Sequence, residues 1–360
     1  MIESYLFPIR YALLTFPIAA LLFTLPFLII QYRMYGYVNK FRGFVVYSAL
    51  LYLITAYYLV ILPLPDTTHT CTASGNTFTQ WIPFQFVQDF WRETALDIHN
   101  PSTYAVLFKE RAVLQVLFNV LLLVPLGMFL RYYFRFSFLW TTAAAFGLSL
   151  FFEWTQYTGL YGFYDCPYRL FDIDDLMLNT IGGMLGYALM KLFSKVLPSM
   201  DQLDDKVDLS LIRVGYVRRF IAFQIDWVTL IPFAVFLYFF GNPIYFAALV
   251  VAYFIILPYM TNGFTLGKYI VRIRLAGRGD RIRLTELIVR YGLLYFLLGG
   301  IHALGLYAAV QLHSVILGWM ILVPLLAVDI LFTGHLAYRL YNREKGLFYE
   351  TKSGTRHIVS

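Results

Sequence analysis

The sequence predicts an all-α, polytopic membrane protein with about nine transmembrane helices, its N-terminus external and its C-terminus cytoplasmic. Composition is the first observation behind this. Of 360 residues 60% are hydrophobic, 19% aromatic and only 14% charged, an apolar excess over ordinary soluble domains. The second is that the apolar residues fall into runs, each close to the ~20 residues that carry a helix across ~30 Å of hydrocarbon. The third is a one-sided placement of basic side chains on alternate connections.

In chain order the expected spans are Tyr5 to Ile30, Phe44 to Leu62, Ala112 to Leu130, Phe138 to Gln156, Leu176 to Leu197, Phe220 to Phe240, Pro243 to Tyr259, Tyr291 to Val310 and Ser314 to Phe332. The first is too long for a signal-peptide core and no small-residue cleavage site follows it, so it reads as a retained helix. The third carries Asn119, with Pro125 and Gly127 marking a kink. In the fifth, Gly182, Gly183, Gly186 and Ala188 predict close helix packing.

Most of the 28 basic residues lie after spans one, three, five and seven or in the tail, leaving Arg10, Arg92, Lys109, Arg111 and Arg169 for the other face. The positive-inside rule turns this into the orientation given above. The net charge of +7 follows from the same bias. It points to the lipid bilayer and its anionic inner leaflet as partner, not to nucleic acid. Between Ile270 and Leu284, alternation around Gly277 and Gly279 predicts a short basic hairpin.

Both cysteines, Cys71 and Cys166, fall in connections assigned to the oxidising outer face, which predicts a disulfide between them. Two unrelated small apolar residues are the bland alternative. The polar stretch Pro198 to Asp208 is too charged for lipid. It divides the chain into a five-helix domain over 1–197 with an outer loop over 63–111, a linker over 198–209, and a four-helix domain over 210–360. Inside the outer loop, Thr79 to Val87 is aromatic and broken by Pro83, as an interfacial or re-entrant element is. An aromatic belt that only anchors the loop accounts for it equally well.

Charge is expensive in a bilayer, so Arg169 to Gly183 stands out. Asp172, Asp175 and Asn179 are spaced by three and four and share a helix face; Arg169 reaches toward it and Asp174 points elsewhere. Glu153 and Gln156 face together near the end of span four. Two readings stay open: an N-cap with an acidic first turn, or a polar ligand site shared by spans four and five. No cofactor is expected, since no phosphate-binding glycine loop, zinc helix or nucleophile elbow occurs.

The runs Phe118-Asn119 to Pro125-Leu-Gly127, Ser149 to Gln156, Arg169 to Gly183 and the shorter Trp81-Ile82-Pro83-Phe84 resemble the VanZ-like family, over roughly residues 1–195. The resemblance implies a multi-pass protein of the bacterial plasma membrane, of the kind associated with teicoplanin resistance in Gram-positive bacteria. The second half is similar to the RDD family. Arg218-Arg219 to Asp226 matches its first helix, Thr265-Leu-Gly267-Lys268 its loop, and Glu350 stands where the family has a second aspartate. That resemblance implies a candidate ion pathway through Arg219, Asp226 and Glu350, since some members are assigned to sodium–proton exchange. Asp329 in the last span is a further candidate carrier.

Three functions follow as expectations. In the first, Glu153, Gln156, Arg169, Asp172, Asp175, Asn179 and Asn119 form an outward-facing pocket for a lipid-linked cell-wall precursor or a lipoglycopeptide. In the second, Asp172 and Asp175 ligate a metal and Glu153 is the general base of a membrane enzyme acting on a lipid-linked substrate. The third is ion exchange through the second half.

Overall fold

The computed structural model describes residues 2–71, 78–94, 110–205, 207–238, 243–311, 315–342 and 346–360. Part of the expected outer loop with Lys109, together with Lys206, Arg343 and Lys345, lies outside the described residues. What is described is mostly helical, with no closed sheet. The long helices are α1 (Ile2–Tyr35), α2 (Lys40–Ile61), α4 (Arg111–Tyr132), α5 (Phe138–Tyr157), α7 (Ile173–Phe193), α8 (Tyr216–Tyr238) and α14 (Val315–Tyr341). Shorter pieces are α3 (Gln85–Glu93), α6 (Gly159–Gly162), α9 (Pro243–Val251), α10 (Leu257–Met260), α11 (Leu266–Ile270), α12 (Leu284–Tyr291), α13 (Gly300–Gln311) and α15 (Phe348–Ser353).

Among the described residues 7 helices are long and apolar enough to cross a membrane: Leu6–Tyr35, Lys40–Ile61, Arg111–Tyr132, Ile173–Phe193, Tyr216–Leu237, Leu284–Ala309 and Ile316–Arg339. The protein is a multi-pass helical membrane protein. The other two expected spans are helical but different in kind. Helix α5 turns Thr141, Ser149, Glu153, Thr155 and Gln156 into the bundle, which dilutes its apolar character. Ile244–Met260 is shorter and passes through a π-helical stretch, Ala252–Ile256.

The chain forms two compact units, Met1–Thr24 with Asn39–Lys206, and Leu25–Val38 with Val207–Ser360. In the first unit α4 and α7 lie backbone to backbone. A Cβ at Gly182 would meet the Val120 carbonyl at 2.0 Å, and one at Gly186 the Val124 carbonyl at 2.0 Å. The expected small-residue packing is therefore present, and α4 runs through Pro125 without a break. Leu123, Leu126, Leu130, Ala145, Phe152 and Ala56 fill the core. Strand β1 (Thr79–Gln80) pairs in parallel with β2 (Phe171–Asp172), and the Cys71–Cys166 disulfide is formed. The polar stretch after α7 is anchored to this unit: Asp204 accepts from buried Arg42 at 2.9 Å, and Asp201 pairs with Arg135.

In the second unit an aromatic core of Trp227, Phe254, Tyr291 and Tyr295 packs together α8, α12 and two π-helical stretches, Ala252–Ile256 and Gly292–Gly299. Arg218 donates to the carbonyls of Val271 (2.7 Å), Gly36 (2.7 Å) and Arg272 (2.8 Å), which holds the end of α1 and the segment after α11 on α8. The expected basic hairpin is half correct. Strand β3 (Ile273–Ala276) forms, but its antiparallel partner is β4 (Arg356–Val359), not residues 281–284. Glu286 explains the change, because its carboxylate accepts the main-chain N–H groups of Arg278 and Arg283, both at 2.9 Å. That fixes the turn as the start of α12 rather than the return of a hairpin.

Candidate functional site

The site in the first unit is built at the N-terminus of α7. Asp172 ends β2 and caps the helix, its carboxylate accepting from the Asp174 N–H at 2.9 Å. Its own N–H donates to Glu153 Oε2 of α5 at 3.0 Å. A buried carboxylate thus meets the electropositive start of a helix. Asp175 accepts from Asn119 and, at 3.5 Å, from Gln115, both on α4. Asn179 donates to Ser149 Oγ at 3.0 Å, and its buried Oδ1 has no partner among the described residues. The face expected from the spacing exists, divided between two neighbouring helices.

Asp174 does most to organise the site. Its carboxylate accepts the N–H of Phe84 at 2.6 Å and of Phe86 at 3.1 Å, acting as the N-terminal cap that α3 lacks from its own sequence. Phe84 is held at φ 64° there, a conformation that a bulky residue adopts only under such external fixing. The aromatic segment is thereby fastened to α7, with Trp81 packed on Phe171 at a 5.0 Å ring separation.

Arg169 and Gln156 serve a different end. Gln156 Nε2 and Arg169 Nη1 both donate to the Val60 carbonyl at 2.8 Å, and Arg169 Nη2 reaches the Leu62 carbonyl at 3.1 Å. They close the C-terminus of α2, where cations suit the helix dipole. Arg169 is therefore hydrogen-bonded to α2 rather than to the carboxylates of α7.

Burial pushes the Asp172 carboxyl up from its ordinary value; the Asp174 N–H opposes this, and the nearby Asp174 and Asp89 carboxylates reinforce it. Beside the acids lies an apolar groove of about 270 Å³ between α3 and α4, lined by Phe86, Val87, Phe90, Ala112, Val113 and Val116. Among the described residues no three His, Cys, Asp or Glu side chains converge as metal ligands do.

The expected ion-pathway residues of the second unit fall into two clusters. Asp226 accepts from Tyr253 (2.8 Å), Thr265 (2.7 Å) and the Gly267 N–H (2.7 Å), with Lys268 Nζ at 3.6 Å. Asp226 is thus held by four groups drawn from two segments of this unit. Arg219 does not pair with Asp226; it donates to Glu350 at 2.9 Å, and Arg290 does so at 3.0 Å.

Residues 49–194 match the VanZ/LLP1 family model. The matched VanZ-like segment contains every group placed around α7, from Val60 to Asn179. No curated protein and no solved structure matches the chain. The match stops at residue 194, and no comparison supports an RDD domain in the second half. Within the VanZ-like segment, sequence reasoning missed Asp174, Gln115, Ser149 and Asp89. The spacing turns Asp174 away from Asp172 and Asp175, and the face it occupies meets the Trp81-Ile82-Pro83-Phe84 motif. Two polar motifs in a membrane chain, one acidic and one with unpaired N–H groups at a helix start, were the available signal.

Proposed function

We propose that the VanZ-like unit binds an amphipathic ligand of the bacterial cell envelope, a lipid-linked wall precursor or a lipoglycopeptide of the teicoplanin kind. Its acyl chain lies in the groove between α3 and α4, and its polar end meets Glu153, Asp172 and Asp175. A cationic group on the ligand supplies the charge these side chains lack. Phe86 carries this reading: its N–H is held by Asp174, and the same residue lines the groove. The apolar wall is thus joined through one residue to Asp174, which lies between Asp172 and Asp175 in sequence. The reading places the cluster on the outer face of the plasma membrane, where a Cys71–Cys166 bond persists.

The metal-assisted alternative uses the same carboxylates, and one experiment separates the two. The protein in lipid nanodiscs is titrated with teicoplanin and with a lipid-linked wall precursor, with and without a chelator. Asp172→Asn and Val116→Trp are each expected to weaken binding at least ~10-fold, the equivalent of one lost contact. Asp174→Ala, which frees α3, is expected to abolish it. Unchanged affinity in folded Asp172→Asn and Val116→Trp proteins sinks the proposal, and loss of binding on chelation transfers the site to the metal reading.

A further inference from the structure

The ribbon formed by β3 and β4 has two faces. Ile273 and Leu275 point inward and are fully buried, so Arg274 and Ala276 point outward. Ala276 is paired with Arg356, and Arg274 with Ile358. Cross-strand partners share a face, which puts Arg274 and Arg356 on the outer one as diagonal neighbours. The Arg278 guanidinium lies against Gly354, just ahead of Arg356 in the chain. Arg281 and Arg283 follow on either side of buried Ile282, and both are exposed.

Like charges gathered in this way repel, and the acids near them are engaged elsewhere. Glu286 accepts the main-chain N–H groups of Arg278 and Arg283. Glu350 is closed in by Arg219, Arg290 and His357. Asp280 is exposed in the same turn, one carboxylate among five arginines. Among the described residues none of these five guanidinium groups is paired with a carboxylate.

The chain sets their depth. The span Leu284–Ala309 begins at the residue after Arg283, and Glu286 ties the main chain of Arg278 to the first turn of that span. Leu284, Ile288 and Val289 are exposed on α12. The start of the span therefore faces acyl chains, and the arginines stand at the level of the lipid phosphates.

We propose that this ribbon is a binding site for an anionic phospholipid, its phosphate held by Arg274, Arg278 and Arg356 and its acyl chains lying along α12. Arginine suits the task, because its planar fork meets a phosphate with two parallel N–H bonds. The bound headgroup supplies the negative charge that the outer face of the ribbon lacks. A diffuse attraction to a charged leaflet would draw on every basic side chain at that surface, whereas a built site depends on these few.

The test follows lipid retention by the full chain in neutral detergent, using native mass spectrometry with phosphatidylglycerol and phosphatidylcholine as probes. The unmodified protein is expected to keep phosphatidylglycerol and to lose phosphatidylcholine. Arg274→Gln combined with Arg356→Gln changes only the outer face of the ribbon and is expected to weaken phosphatidylglycerol binding at least ~10-fold. Arg278→Gln alone is expected to weaken it in the same direction. Lys195→Gln, at an exposed basic position just past α7, is expected to leave it unchanged. Equal retention of the two lipids, unchanged affinity in either folded ribbon variant, or an equal loss in Lys195→Gln overturns the proposal. Displacement of the lipid by an equal concentration of inorganic phosphate or of a short RNA also overturns it, because the occupant is then a soluble anion.

Discussion

Glu350 gathers Arg219, Arg290 and His357 around one carboxylate, with His357 Nδ1 3.1 Å from Oε1. Burial alone would raise the Glu350 carboxyl; the His357 contact and the two guanidinium groups outweigh it and hold the carboxyl well below its ordinary range. Burial, followed by the Arg290 charge, pushes the His357 imidazole down to about 3. Arg290 Nη2, 3.5 Å from His357 Nε2, can only donate, which agrees with a neutral ring. Both shifts act in the same direction. Glu350 contributes stability that is complete above its ordinary 4.5 and is lost as pH falls below it. His357 contributes stability that is complete above 6.5 and drains as pH falls toward about 3, because only the unfolded chain takes up the proton there. Melting temperature in detergent is therefore expected to drop between about pH 7.5 and about pH 5, and His357→Gln is expected to flatten that slope. An identical slope in the variant removes the account.

At the level of elements, the contact of α4 with α7 is the most demanding. Gly182→Val and Gly186→Val each force a side chain into a carbonyl that stands 2.0 Å from the Cβ position, so folded yield is expected to collapse. Gly147→Ala, with open space around it, is expected to be neutral; size-exclusion profiles of the three variants check this. These glycines were legible in the sequence because close packing needs small residues at helical spacing. The helices were legible from apolar run length, and the Cys71–Cys166 bond from the side of the membrane assigned to each loop. The Asp174 clamp was not, because it joins residues 90 apart and periodicity reports only which face a residue occupies, not what meets that face. Likewise β3 was foreseen from alternation around Gly277, whereas its partner, β4, comes from the tail and has no local signal. Charge alone points Arg169 toward the nearby acids, while the carbonyls at the end of α2, invisible in a side-chain pattern, take its hydrogen bonds.

Across the whole molecule, the Cys71–Cys166 bond closes a sequence separation of 95 residues, nominally about 4.7 kcal/mol of chain entropy. Around it, Thr70 Oγ1 donates to the Cys166 carbonyl at 2.6 Å and Tyr164 to the Pro65 carbonyl at 3.3 Å. A membrane-impermeant reductant added to intact cells is expected to cleave the bond and lower the melting temperature. A bond that resists it until the cells are lysed would place these loops on the inner side instead.

Helix α1 gives its first part, to Thr24, to one unit and its last part, from Leu25, to the other. Leu28, Ile29 and Tyr32 pack on Ile221, Val271 and Ile273, and Gly36 supplies a carbonyl to Arg218. The gene therefore cannot be halved at the acidic stretch where it looks most divisible. A fragment ending there carries off a piece of the other half's core, and the remainder begins with an arginine missing an acceptor. A second half that keeps this core whole is a rearranged one, with residues 25–38 placed ahead of residue 207.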